Sequence, residues 1–188
     1  MLGATLSVAL LSGCGAQAST DDGAAIAPSG VVTAEPDSGT YAAGAVDENT
    51  ACEIASASPT LTELGGVATP ADTQFIVALS FCQVQLTAPG VDGLSLSVEI
   101  VTAADVALTA GSDPTAVPGS FVLMPDLGED GHFLSLIPGV TPADEPTSGA
   151  LTAARGDLGI TLAWAGAAAA VPFATFEQIA RELLEALP

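Results

Sequence analysis

Residues 94–100, with the sequence LSLSVEI, decide the fold of this chain. Leu, Val and Ile side chains alternate here with Ser95, Ser97 and Glu99, which is typical of a β-strand with one buried face. The same alternation recurs in residues 158–164, LGITLAW. The two segments therefore predict a sheet that is covered on one side.

Further apolar segments predict the partners of these two strands. Turn-rich sequences join the first and the last predicted pair, which favours antiparallel hairpins. Two short strands are predicted between these hairpins. The predicted pairs are 75–86 with 94–100 and 151–154 with 158–164, and the short strands lie at 121–124 and 133–137.

Helices are predicted from residues that cap helix N-termini. The starts are Ser58-Pro59 with a capping box at Thr60–Glu63, Thr102 to Asp105, and a capping box at Thr175–Gln178. The last helix has an apolar face formed by Phe176, Ile179, Ala180, Leu183, Leu184 and Leu187. Strands with hairpin connections and interspersed helices predict a single α+β domain, with a largely antiparallel sheet and packed helices.

The first 14 residues predict a lipoprotein signal peptide. Residues 1–13, MLGATLSVALLSG, form an uncharged apolar run with the length of a signal-peptide hydrophobic region, too short to span a bilayer. Leu11-Ser12-Gly13-Cys14 resembles the bacterial lipobox, in which the leader is cut before the cysteine and the thiol receives a diacylglycerol. Because the usual positively charged segment is missing, we expect the true leader to begin further upstream. The alternative is a buried N-terminal strand with an incidental cysteine.

Residues 14–50 are expected to form the lipid anchor and a disordered tether. The segment 15–50 is rich in Ala, Gly, Ser, Thr, Pro and Asp, with six acids, no bases and one aromatic residue, Tyr41. Such a composition buries too little apolar surface to offset the chain entropy lost on folding. The folded domain is therefore expected at 51–188, an ordinary size for one domain.

The three cysteines predict one lipidated residue and one disulfide. If Cys14 is acylated, Cys52 and Cys82 remain to pair in an oxidising compartment. Closing that loop contributes on the order of 3–4 kcal/mol in the chain-entropy model. Two buried free thiols are the alternative, and the expected export of the chain favours the bond.

The charge balance excludes anionic partners. The 188 residues include 22 Asp and Glu but only two Arg and no Lys, which gives a formal net charge of −20. Acids are about as frequent as in ordinary proteins, so it is the basic complement that is missing. Since binding to nucleic acid or to an anionic membrane surface requires positive charge, we expect neither as a partner.

The sequence carries no recognisable enzymatic motif, and we expect a protein that is not an enzyme. A hydrolase could use His132, the only histidine, with a nearby Ser and carboxylate, but no G-x-S-x-G elbow presents a nucleophile. The lack of Lys excludes a Walker A nucleotide site. One histidine and two paired cysteines cannot supply the ligands of a typical zinc site. We therefore expect no catalytic residues, no metal and no cofactor.

Four other features are better explained by structure than by function. Arg155-Gly156-Asp157 matches the integrin-binding tripeptide but is also ordinary turn chemistry. In residues 126–131, DLGEDG, a calcium loop of the EF-hand type fails because it requires Glu where Ile137 stands, so a solvated acidic turn is favoured over a weak cation site. Trp164 is expected in the core. The uncharged residues 158–176 have the length of a membrane span, but their alternation favours a strand, a loop and a helix start.

Taken in order, these features resemble a family of actinobacterial cell-envelope lipoproteins that carry a domain of unknown function. The resemblance covers roughly residues 51–187, in addition to the lipobox and the tether. It rests on Cys14, Cys52, Thr60-x-x-Glu63-Leu64-Gly65, Cys82 after a strand, Asp126-Leu127-Gly128-Glu129-Asp130, the residues from Leu151 to Leu158, and the terminal helix. It implies a secreted α+β domain with a disulfide, similar to the extracytoplasmic sensor domains of mycobacterial kinases, and it implies no activity.

These observations predict a non-enzymatic envelope protein on the outer face of the cell membrane, attached through the lipid on Cys14. Its domain is expected to bind a small molecule or an envelope protein, in a cleft with apolar walls and few polar groups. The alternatives are a secreted hydrolase that uses His132 and a purely structural envelope component without a ligand.

Overall fold

One antiparallel sheet organises the part of the chain described by the computed structural model, which comprises residues 46–71, 78–91, 93–112, 119–166 and 171–188. Its seven strands are β1 (Val67–Pro70), β2 (Ser80–Gln85), β3 (Ser95–Thr102), β4 (Ser120–Leu123), β5 (Glu129–Ser135), β6 (Ser148–Arg155) and β7 (Leu158–Ala165). They are arranged in the order β1-β2-β3-β7-β6-β5-β4, and every neighbouring pair is antiparallel.

Four helices pack against the sheet in these residues. They are α1 (Thr50–Ala57), α2 (Pro59–Glu63), α3 (Ala103–Ala110) and α4 (Phe173–Ala186), with a short 3₁₀ helix at Pro142–Asp144. Helix α1 contacts β1 to β3, α4 contacts β6 and β7, and α2 contacts α4. The predicted α+β class with a largely antiparallel sheet is confirmed.

The two alternating segments meet at the centre of the sheet. Strand β3 pairs with β7 over its whole length, and Val98 lies opposite Leu162 while Ile100 lies opposite Ile160. These four side chains are fully buried. The pairing joins two meanders, β1-β2-β3 and β4-β5-β6-β7, into one sheet, and the hairpins predicted for β2–β3 and β6–β7 are both present.

Helix α4 covers the buried face through an aromatic cluster. Trp164 stacks on Phe176 with ring centroids 4.3 Å apart, and Phe173 meets Phe133 edge to face at 5.5 Å. The indole Nε1 of Trp164 donates to the carbonyl oxygen of Pro146 at 3.1 Å, so its polar atom is satisfied inside the core. The predicted core position of Trp164 is confirmed.

The predicted disulfide joins α1 to the sheet. Cys52 on α1 is bonded to Cys82 on β2, with their Cα atoms 5.0 Å apart. The hydroxyl oxygen of Ser80 accepts from the backbone N–H of Ala51 at 2.9 Å beside it. Helix α1 was not predicted from the sequence, and Val46, before its first turn, already packs against the core.

The N-terminal predictions concern residues that the structure does not describe. Cys14, the signal peptide at 1–13 and the tether up to residue 45 lie outside the described ranges, so lipidation and the expected domain limits stay predictions.

The predicted capping box of α2 is wrong. The helix is capped by Ser58, whose hydroxyl oxygen accepts from the N–H of Leu61 at 3.1 Å. Thr60 instead turns outward to α4 and donates its hydroxyl to Glu182 Oε1 at 2.7 Å. Glu182 Oε2 also accepts from the Ser58 hydroxyl at 2.5 Å and from the N–H of Thr60 at 3.1 Å. One carboxylate therefore holds the start of α2 against α4.

The capping box predicted for α4 is wrong as well. The helix begins at Phe173, two residues before Thr175, and the N–H of Phe173 donates to Glu145 Oε2 at 2.5 Å. The acceptor comes from a loop 28 residues earlier, which a local pattern cannot show. The predicted start of α3 is confirmed, because the Thr102 hydroxyl oxygen accepts from the N–H of Asp105 at 3.0 Å.

The apolar residues 158–176 contain a strand and a helix start, as predicted. Strand β7 occupies their first half and α4 begins at Phe173, while residues 167–170 lie outside the described ranges. Of the helices that the structure describes, none combines the length and the apolar character needed to cross a membrane.

We predict that Glu182→Gln lowers the free energy of unfolding by about 1–2 kcal/mol, because it weakens the charged hydrogen bonds that join α2 to α4. Although burial acts to raise the pKa of Glu182, hydrogen bonds from Ser58, Thr60 and Gln178 outweigh it and lower the pKa. A carboxyl whose pKa is lowered by folding stabilises the protein above its unfolded-state pKa, and this contribution is lost as the pH falls through the folded-state pKa.

Urea unfolding at neutral and acidic pH measures this effect. The control is Glu185→Gln, which removes an exposed carboxylate from the same helix one turn later. An equal loss of stability in both variants, or a Glu182→Gln loss that persists at low pH, contradicts the prediction.

Candidate functional site

The sheet has a second face, which points away from α4. Because side chains alternate along a strand, Val98 and Ile100 of β3 lie in the core while Glu99 lies on the opposite side. Helix α3 covers one end of this second face. We call the remainder the open face; it is formed by the side chains of β2 to β7 that point away from α4.

A glycine allows α3 to lie close to the sheet. Val106 of α3 is buried against Val101 and Ala154, on β3 and β6. Gly159 of β7 lies opposite Val101, and a Cβ atom at this position would come within 2.4 Å of Val106 Cγ2. Helix α3 is therefore packed tightly on the sheet and borders the open face on this side.

The strand register places four polar residues side by side next to α3. Glu99, Thr161, Thr152 and His132 lie on adjacent strands β3, β7, β6 and β5. We call them the polar row. At the centre of the row, the hydroxyl oxygens of Thr152 and Thr161 are 3.1 Å apart and are joined by a hydrogen bond. A titratable group therefore lies at each end of the row.

His132 is a buried residue at one end of the polar row. It is 1% exposed and its ring stacks on Phe121 with centroids 4.9 Å apart. Nδ1 lies 2.9 Å from the carbonyl oxygen of Asp130, a distance at which an Nδ1–H group donates to it. In the part of the chain that the structure describes, no carboxylate or serine hydroxyl is hydrogen-bonded to the ring, so the contacts of a catalytic triad are not formed there.

Burial controls the ionisation of both ends of the row. Desolvation lowers the pKa of His132, although the carbonyl group and the charge of Asp130 oppose this shift. Desolvation also raises the pKa of Glu99. Both pKa shifts favour the neutral form of the side chain, as expected for titratable groups that are shielded from water.

Glu99 is a half-buried carboxylate at the other end. Its direct neighbours across the strands are Phe81 on β2 and Thr161 on β7. Within the described ranges, no hydrogen bond or ion pair joins the Glu99 carboxylate to another residue. Half-buried charges are costly when they are not compensated, so Glu99 is the most unusual polar group of the open face.

A groove of about 300 Å³ lies over β2, β3 and β7, and one of its lining residues is Phe81, the cross-strand neighbour of Glu99. Side chains of the open face that line it are Phe81, Gln83, Gln85, Ser95, Ser97, Ala163 and Ala165. The groove thus combines one aromatic ring and two alanines with four hydrogen-bonding side chains, and its volume is at the lower end of small-molecule sites.

Three large apolar side chains at the β4–β5 edge of the sheet are exposed. Leu123, next to His132 on the edge strand β4, is 62% exposed, and Leu136 and Ile137 directly after β5 are 80% and 51% exposed.

The two arginines lie away from the groove, at α4. Arg155 donates from Nη1 to the carbonyl oxygen of Glu185 at 2.9 Å and from Nη2 to that of Leu187, so it binds the C-terminal end of the helix. Arg181 donates to the carbonyl oxygen of Asp126 and lies 3.8 Å from the carboxylate of Glu177. The cavity of about 330 Å³ between them is also lined by glutamates. The Arg155-Gly156-Asp157 tripeptide therefore has a structural role at a hairpin turn.

The acidic residues 126–131 comprise the end of the turn after β4 and the first residues of β5, which begins at Glu129. Asp126, Glu129 and Asp130 are exposed, while Leu127 between them is buried in the core. Among the described residues, no group of three or more His, Cys, Asp or Glu side chains is arranged to hold a metal ion.

The sequence singled out His132 but not the rest of the polar row. Glu99 was noted only as the polar partner in an alternating strand, and neither threonine was considered. The tight turn at 156–157 was the usable signal, because a two-residue turn fixes the register and places Thr152 opposite Thr161. No such local signal places Glu99 of β3 next to Thr161 of β7.

We predict that His132→Phe removes a pH dependence of stability. The folded-state pKa of His132 lies below its unfolded-state value, so the unfolded chain binds the proton more tightly and the free energy of unfolding falls as the pH drops below about 6.5. Because His132 is the only histidine, no other imidazole contributes to this slope.

Urea unfolding between about pH 5.5 and pH 8 measures the slope, which should reach at most about 1.4 kcal/mol per pH unit in the natural protein. His132→Phe should keep most of the packing against Phe121 and abolish the slope, whereas His132→Ala should also lose about 2–4 kcal/mol through the cavity it creates. A slope that survives in His132→Phe contradicts the assignment.

No family model, curated protein or solved structure matches the chain. The resemblance to actinobacterial envelope lipoproteins therefore stays a prediction. What the domain does has to be argued from the geometry of the open face.

Proposed function

We propose that this protein is a lipid-anchored, extracytoplasmic binding protein without enzymatic activity, whose open face takes a ligand of the cell envelope. The observation that carries the proposal is the open face itself. It presents a groove and, at the end of the polar row, the half-buried carboxylate of Glu99 on the sheet face opposite the α4 core.

The location is supported by cysteine chemistry. The Cys52–Cys82 disulfide is of the kind that persists in oxidising compartments. The sequence around Cys14 has the lipobox pattern, and the acidic segment that follows has the composition of a flexible tether. Together they favour a domain that is held outside the cell membrane through a lipid.

The non-enzymatic assignment is supported by the surroundings of His132. A general base needs an exposed nitrogen within reach of a nucleophile or a substrate. His132 is instead buried and stacked, with a backbone carbonyl as its hydrogen-bond acceptor. This environment favours a binding face over a hydrolase site.

Anchoring predicts a defined mass for the protein extracted from bacterial membranes. We expect a chain that begins at Cys14, carries a diacylglyceryl group on its thiol, and gains the mass of two hydrogens on reduction of the Cys52–Cys82 bond. Intact-mass spectrometry before and after reduction measures all three features. Cys14→Ser is the control and should lose the lipid, and a natural protein that retains residues 1–13 would refute the anchoring.

Ligand binding predicts a higher melting temperature, because a ligand that binds only the folded state stabilises it. We expect at least one compound in a panel of envelope lipids, glycans and organic ammonium compounds to raise the melting temperature of the full-length protein. Ala163→Leu, which fills the groove, should abolish the shift. Ala174→Leu makes the same change at an exposed position of α4 and should retain it.

A shift that Ala163→Leu leaves intact places the ligand elsewhere and contradicts the open-face assignment. No shift with any compound of the panel favours a purely structural envelope component.

A further inference from the structure

We infer that the groove of the open face binds a small organic ammonium compound, with its cationic group at Glu99 and its apolar body over Phe81 and Ala163. This inference rests on the proposed function, since it names the ligand chemistry of the same face. It is carried by the position of one carboxylate, one aromatic ring and the groove beside them.

Glu99 lacks a compensating charge in the described part of the chain. Its carboxylate is half-buried, and its cross-strand neighbours, Phe81 and Thr161, are uncharged. A cation placed here recovers part of the solvation that the carboxylate has lost, and a hydrogen bond from an ammonium group to a carboxylate is stronger than one between neutral groups. A neutral or anionic group gains nothing comparable.

Phe81 adds a second contact for the same cation. It lies directly opposite Glu99 on β2, at the distance at which cross-strand side chains touch, and it is partly exposed. An ammonium group beside the carboxylate therefore also lies near an aromatic ring, whose face attracts cations through its quadrupole.

The apolar part of the ligand fits the groove next to this pair. Phe81 lines the groove, as does Ser97, which lies two residues before Glu99 on β3, about 7 Å along the strand. Ala163 lies opposite Ser97 on β7 and forms an apolar floor. A volume of about 300 Å³ accommodates a small molecule.

The charge distribution favours a cation and disfavours an anion. Residues 51–188 contain 16 acids and two arginines, and both guanidinium groups are bound at α4, away from the groove. The resulting negative potential attracts cations to the domain. Attraction to the domain as a whole is, however, distinct from binding at Glu99, and the experiment has to separate the two.

The test compares three probes with the same six-carbon body: hexylammonium, 1-hexanol and hexanoate. Chemical-shift titration of the full-length protein by nuclear magnetic resonance, at neutral pH and moderate salt, gives a dissociation constant and the residues that each probe contacts. We expect hexylammonium to bind about five- to tenfold more tightly than hexanol, hexanoate to bind weakest, and shifts at Phe81, Ser97 and Ala163.

Matched charge removals separate the site from the overall charge. Glu99→Gln should abolish the preference for hexylammonium over hexanol and leave hexanol binding unchanged. Glu185→Gln removes the same charge from the exposed side of α4 and should retain the preference. Equal binding of hexylammonium and hexanol, or an equal effect of both substitutions, overturns the inference.

Failure of this inference and failure of the proposed function give different results. Suppose that no probe binds, but another compound of the panel raises the melting temperature and Ala163→Leu abolishes this rise. The proposed binding function is then supported, and the inference of an ammonium ligand is refuted. If neither the probes nor the compounds of the panel bind, both the inference and the proposed binding function are refuted. Because unfolding of a variant would mimic loss of binding, unchanged chemical shifts in the α4 core are required of each variant.

Discussion

The pairing of β3 with β7 is the constraint on which the rest of the structure depends. Each strand belongs to a separate antiparallel meander, and only this ladder makes the two meanders one sheet. It brings the apolar residues of both strands under α4 and, by the same alternation, sends Glu99 and Thr161 to the opposite side. The core and the open face are thus set by one register, and a shift of one residue would exchange them.

Among the residues that the structure describes, α4 takes part in most of the contacts made by charged side chains. Glu145 accepts from its first turn, Arg155 binds its last carbonyl groups, and Glu182 fastens α2 to its side. The sequence analysis identified a missing basic complement, and the structure shows where the two remaining cations are placed. Since both arginines support one helix, they do not offset the acidic side chains on the other surfaces that the structure describes.

The elements that follow from local patterns were predictable, and those that follow from distant contacts were not. Alternation along β3 and β7 and the cap at Thr102 were sufficient to place a sheet and α3. The start of α2 at Ser58-Pro59 was also predictable, whereas the two capping boxes were wrong because Thr60 bonds to the distant Glu182 and the first turn of α4 bonds to the distant Glu145. The open face could not be predicted because Glu99 and His132 lie three strands apart, and their alignment requires the β3–β7 register that no local turn specifies.

The placement of the two arginines has a consequence for proteolysis. Because the chain contains no lysine, trypsin can cut it only after Arg155, at the end of β6, and after Arg181, inside α4. Both peptide bonds lie in or beside hydrogen-bonded elements that pack on the same core, and a protease requires such a segment to open first. Tryptic digestion of this protein therefore reports on two places, the turn between β6 and β7 and the middle of α4, because every cut falls at one of them.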